Sequence, residues 1–113
     1  MAALTVDSLW TNESPSASFA AQDVEVDNFS DYSIVLVVYR HFGSANTMGH
    51  GVLPIMGVGN YLLNVVSTSN NRNGNRNLTV YESGKISFTA CTYNNSTNND
   101  YGVPLGIYGI KGD

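Results

Sequence analysis

A chain of 113 residues can close one modest hydrophobic core and is too short for two, so a single domain over residues 1–113 is expected. Five Lys+Arg against nine Asp+Glu give a net charge of −4, with no basic cluster to neutralise a phosphate backbone, which excludes nucleic acid as an expected partner. Charged residues make up 12% of the chain, against roughly 25% in an ordinary soluble domain, so Ser, Thr, Asn and Gly carry its polarity. Such a surface suits partial cover by neighbours; a monomer dressed in Asn and Thr is the plainer alternative.

Residues Met1 to Asp7 contain neither a basic n-region nor a long apolar h-region, so no signal peptide is expected. The first strand is predicted over Leu4 to Trp10, and Asn12, Ser14 and Pro15 then form a turn. Phe19 and Ala21 lead into Val24-Glu-Val26. The near-continuous apolar run from Ser33 to Phe42 predicts a central strand buried on both faces. Its most apolar part, Ile34 to Tyr39, is far shorter than the roughly 20 residues of a membrane-spanning helix, and no membrane segment is expected.

A loop is predicted over residues 43–47, and His50 to Met56 with Tyr61 to Ser67 reads as a hairpin turned by Gly57 to Asn60. Ser69 to Arg76, with its Asn-Gly dipeptide, reads as an exposed loop. Leu78 to Tyr81 alternates cleanly, Ser83-Gly84 turns, and Lys85 to Tyr93 returns as one strand. A polar loop from Asn94 to Asp100 precedes the last strand, Val103 to Ile110, where Pro104 marks an edge or strand-start position. With no helical periodicity, the chain is expected to be all-β. Seven or eight short strands predict a two-layer antiparallel β-sandwich of jelly-roll or Greek-key type.

Catalytic signals are sparse. The two histidines, His41 and His50, lack a third ligand for a metal, and no serine lies in a Gly-x-Ser-x-Gly elbow. Glu25 and Asp27 sit along one strand rather than across a cleft, as a glycosidase pair would. Gly57-x-Gly59 is turn chemistry rather than a phosphate cradle. The lone Cys91 cannot form an internal disulfide and reads as a small buried residue. No enzyme, cofactor or metal is expected. Among the seven tyrosines, Tyr93 and Tyr101 bracket the Asn-rich loop. Together with Asn95 and Asp100 they are the candidate ligand-binding residues, able to stack on sugar rings and hydrogen-bond hydroxyls. A monomeric carbohydrate-binding module is therefore one expected function.

Two stretches are more distinctive: Leu9-Trp-Thr-Asn-Glu-Ser-Pro-Ser-Ala-Ser-Phe-Ala-Ala-Gln22 and Val103-Pro-Leu-Gly-Ile-Tyr-Gly-Ile-Lys-Gly112, with Ser30-Asp31-Tyr32 between them. They resemble a family of bacteriophage and prophage virion proteins, over nearly the whole chain, with free departures between Phe42 and Tyr81. The resemblance implies a non-catalytic tail or fibre component, made in the bacterial cytoplasm and residing in the virion. Its implied partners are further copies of itself, as a homotrimer, other virion proteins and a host cell-surface glycan. Trp10 and Tyr108 lie in the matching stretches and are expected to serve core packing or a subunit interface.

Overall fold

Alternating apolar positions build two antiparallel sheets in the computed structural model, which describes residues 3–41, 50–66 and 73–112. The first sheet holds β1 (Leu4–Thr11), β10 (Val103–Gly112), β3 (Ile34–Arg40) and β4 (His50–Ile55), in that spatial order. The second holds β2 (Gln22–Glu25), β7 (Lys85–Phe88), β6 (Asn73–Val80) and β5 (Gly59–Val66). Two short strands, β8 (Thr92–Tyr93) and β9 (Ser96–Thr97), continue beside β6 where β7 has ended. The order β2-β7-β6-β5 is a Greek key whose long connection runs through the opposite sheet as β3 and β4.

Val35, Val37, Ile55 and Ile107 from one sheet meet Val24, Leu63, Leu78, Val80, Ile86 and Phe88 from the other in one buried cluster. Each such side chain, fully removed from water, contributes about 1.5–3 kcal/mol before entropy is counted. A smaller cluster of Val65, Cys91 and Tyr93 closes one end. Cys91 is fully buried, as its strand context suggested.

Several sequence expectations are corrected. Among the described residues ten strands form rather than seven or eight, because the stretch from Lys85 to Tyr93 divides into β7 and β8 and the polar loop contributes β9, the last two having two residues each, too short to show periodicity. Val35, Val37 and Tyr39 of β3 face the core, but Ile34, Leu36 and Val38 on its other face are only half-buried, since no layer covers that side. β4 and β5 do not pair as a hairpin: β4 pairs with β3 and β5 with β6, so the turn between them crosses from sheet to sheet. The predicted loop at residues 69–76 is strand from Asn73 onward, and its earlier part, like the loop at 43–47, lies outside the described residues.

Lys85 to Tyr93 is broken after Phe88, for Leu78 pairs with Phe88 and Asn75 with Thr92, leaving one residue too many for a regular ladder. Pro104 sits second in the central strand β10, at a point β1 no longer reaches, since their pairing ends at Thr11 and Gly106. A missing N–H is tolerated there.

Candidate functional site

Three features distinguish this sandwich: a strapped end, a cleft beside it and an uncovered sheet face. The strapped end is built where β1 and β3 finish. A register shift in β1 between Ser8 and Trp10 turns both Leu9 and Trp10 toward the core, where Trp10 meets Phe19 edge-on with centroids 6.1 Å apart. The chain beyond is fastened by Asn12, whose Nδ2 donates to the Pro104 carbonyl (2.8 Å) and whose Oδ1 accepts the Ser14 amide (2.8 Å).

Two buried arginines secure the same region. Arg40 donates to the carbonyls of Pro15 (2.9 Å), Ala17 (3.2 Å) and Asp100 (2.9 Å), joining the segment after β1 to the loop before β10. Arg76, with no exposed surface, donates to the carbonyls of Gly102 (3.0 Å), Thr89 (2.7 Å) and Tyr101 (3.1 Å). Burial lowers the pKa of both from the ordinary guanidinium value, yet a guanidinium stays charged in proteins. Both therefore work as fixed donors to backbone oxygens. Nothing in the polar run around Arg76 pointed to burial; its only sequence signal is its place two residues before the alternating Leu78 and Val80.

The predicted ligand residues fall in this end. Tyr93 and Tyr101 stack face to face, 3.9 Å between centroids and 2° between planes. Tyr93 is buried and Tyr101 half-buried, so each ring covers a face of the other. Asn94 and Asn95 both take positive φ, 52° and 65°, and make the two-residue turn joining β8 to β9. Asn95 and Asp100 are exposed. The loop is therefore a tight hairpin beside a stack in which one face of each ring is taken by the other.

A cleft of about 400 Å³ opens beside it, lined by Trp10, Asn12, Glu13, Ser18, Phe19 and Gln22 among others. Every one of its residues belongs to the stretch Leu9 to Gln22. A second hollow, of about 440 Å³, lies at the opposite end between Phe29, Tyr32, Val35, Ile55 and Met56, with Glu82 on its rim. It is mostly apolar.

The uncovered face belongs to the first sheet. Pairing places Val6, Ile110 and Ile34 in one row, Ser8, Tyr108, Leu36 and Pro54 in the next, and Val38 with Val52 in a third. No charged residue occupies any of these positions. Leu4, Val6, Val52 and Met56 are each more than half exposed. Tyr108 lies on this face with its ring over Gly106, where an added Cβ would stand 3.0 Å from the ring. Trp10 and Tyr108 thus part company: one turns inward, the other outward.

His41 and His50 are drawn together by the pairing of Arg40 with His50. Burial, and then the neighbouring His50, lower the His41 pKa from its ordinary 6.5. Among the described residues no group of three His, Cys, Asp or Glu side chains could hold a metal ion, and no helix is long and apolar enough to cross a membrane. Comparison with known proteins adds no relative: no family model, curated protein or solved structure matches the chain.

Proposed function

We propose that this chain is a non-catalytic structural domain of a bacteriophage virion, of the tail or fibre-tip type, which associates with copies of itself and takes part in host-surface attachment. The observation that carries the reading is the outer face of the β1-β10-β3-β4 sheet, whose three rows from Val6 to Val52 carry no charged side chain, the Arg40–His50 row beyond them lying under the strapped end. Four strands spaced about 4.8 Å apart, over rows rising about 3.3 Å per residue, give that face a plan area of roughly 400 Å². A patch of this size matches the largest on a typical monomer, which is often functional.

A second copy is the occupant that fits. A chain of net charge −4 repels its own copies at charged surfaces, but rows carrying no charge can lie against neighbouring copies without that cost. The virion setting rests on the resemblance of the two end stretches. The alternative, a monomeric carbohydrate module reading sugars with Tyr93 and Tyr101, is less favoured because those rings are spent on one another.

Light scattering coupled to size exclusion tests the proposal. The expected result is a homotrimer of the 12.2 kDa chain that Val6→Lys or Val52→Lys converts to monomer with the fold intact. A wild-type chain that stays monomeric at high concentration overturns the assembly reading.

A further inference from the structure

We propose that the cleft between Trp10, Glu13 and Gln22 is a binding subsite for a neutral carbohydrate. This inference rests on the attachment part of the proposed function, to which it supplies a ligand class.

Six of the eight lining residues are polar, and the two aromatic ones, Trp10 and Phe19, lie together on one side. Sugars ask for that division: an apolar ring face to rest on an aromatic wall, and hydroxyls to be met by amides and carboxylates. The volume of about 400 Å³ lies near the small end of the range for small-molecule sites, enough for a short stretch of glycan.

The wall is fixed, and three polar groups on its lining are open. Trp10 is held by the bend in β1 and by its edge-on contact with Phe19, yet its indole N–H has no hydrogen-bond partner among the described residues. A half-buried indole with an open donor is suited to a hydroxyl oxygen. Gln22 turns its Nε2 to the Ala20 carbonyl (3.1 Å), which leaves its amide oxygen open as an acceptor. Exposed Glu13 has no ion pair among the described residues. Asn12 is excluded as a reader, because both ends of its amide are committed to Pro104 and Ser14.

Charge narrows the class. No Lys or Arg lines the cleft while Glu13 does, so a uronic acid, sulfate or phosphate group would meet repulsion with nothing to offset it. A neutral hexose or N-acetylhexosamine meets none. The site is also shaped by backbone that the Arg40 clamp holds from behind, at the Pro15 and Ala17 carbonyls, which reduces the ordering a ligand must impose.

Trp10 is the only tryptophan in the chain, so its emission reports on this cleft alone. The wild-type protein is titrated with cellotetraose, maltotetraose and chitotetraose, and with trigalacturonate as the acidic counterpart, while calorimetry records total binding. Saturable change of Trp10 emission by at least one neutral sugar and none by trigalacturonate is expected. Gln22→Ala, an exposed change, is expected to weaken that binding about 3- to 10-fold, the loss of one hydrogen bond. Calorimetric binding with unchanged Trp10 emission, binding by trigalacturonate alone, or no binding by any of the four overturns the inference. The outcome is separable from assembly, which light scattering reads: an oligomer that ignores every sugar removes the cleft and leaves the assembly reading, whereas a monomer that quenches does the reverse.

Discussion

The guanidinium carbon of Arg76 lies 5.3 Å from the centroid of the Phe19 ring, so a buried cation supports the same ring that backs Trp10. Its N–H groups meanwhile hold three carbonyls from two separate segments. Removing the side chain would leave those oxygens buried and unpaired and open a void under Phe19. Arg76→Ala is expected to lower unfolding free energy by about 3–5 kcal/mol, and Arg76→Lys to recover only part, since an ammonium lacks the planar fork. Urea denaturation of the three proteins checks the order. Equal stability of Arg76→Ala and wild type would show that the carbonyls find other donors.

The Tyr93–Tyr101 stack gives a second ordering. Tyr93 is buried against Val65 and Cys91, whereas Tyr101 is half-buried and covers it from outside. Tyr93→Ala is expected to cost about 3–5 kcal/mol, as for other buried aromatic truncations. Tyr101→Ala should cost about 1–2 kcal/mol, the pair term plus a partial loss of area. If Tyr101→Ala proved the more damaging in the same denaturation series, the stack would be carrying the loop rather than capping the cluster.

These residues also show what the sequence discloses. Leu78 with Val80, and Ile86 with Phe88, alternate visibly and land in the core, and the Ser83-Gly84 turn lies where the pattern places it. Period-2 alternation is a local property, and one chain segment suffices to display it. Arg76 is the opposite case. Its burial depends on carbonyls from Thr89, Tyr101 and Gly102, which only the folded topology brings to it, and an Asn-rich neighbourhood reads as solvated until then. The run from Ile34 to Val38 misled for a related reason, because apolarity on both faces looks the same whether the second face is covered by another layer or left for a partner. The cleft was hidden as well. Trp10 reads as packing and Glu13 to Ser18 as turn, and it takes the strand bend to set one beside the other.

Gly84 is a position where only glycine fits. Its φ of 92° is rarely adopted by other residues, and an added Cβ would stand 2.2 Å from the Val26 carbonyl oxygen, a backbone atom that cannot swing aside. The Val26 amide also donates to the Gly84 carbonyl (2.9 Å), so relief would break the link between β2 and the β6–β7 turn. Gly84→Ala is expected to destabilise by about 2–4 kcal/mol. Thermal unfolding reads this directly, and a loss below about 0.5 kcal/mol would mean that the turn repacks freely.

Titration should limit stability on both sides of neutrality. Burial, with His50 beside it, holds the His41 pKa below its ordinary 6.5, so the unfolded chain takes up this proton first and stability falls as pH drops below 6.5 toward the lowered value. Burial raises the Cys91 thiol above its ordinary 9.0 and the Tyr39 phenol above its ordinary 10.0. Their contributions are intact below those values and fade as pH climbs through the raised ones. Urea midpoints are therefore expected to be highest between about pH 7 and 8, with the acid limb shallower in His41→Gln. An unchanged acid limb in that variant would assign it to carboxylates instead.

The uncovered sheet face predicts how association responds to salt. Copies joined through Val6, Leu36, Val52 and Ile110 would place no charge at those positions, and screening a chain of net charge −4 would reduce repulsion between them. Raising sodium chloride from about 0.05 to 0.5 M, which shortens the Debye length from roughly 14 to 4 Å, is expected to leave the association constant unchanged or raise it slightly. Sodium sulfate, excluded from apolar surface, should raise it further. Sedimentation equilibrium across the two series separates the cases. Dissociation on adding sodium chloride would mean that ion pairs hold the copies together, and the contact would then have to lie among the carboxylates and the few cations elsewhere on the molecule rather than on this face.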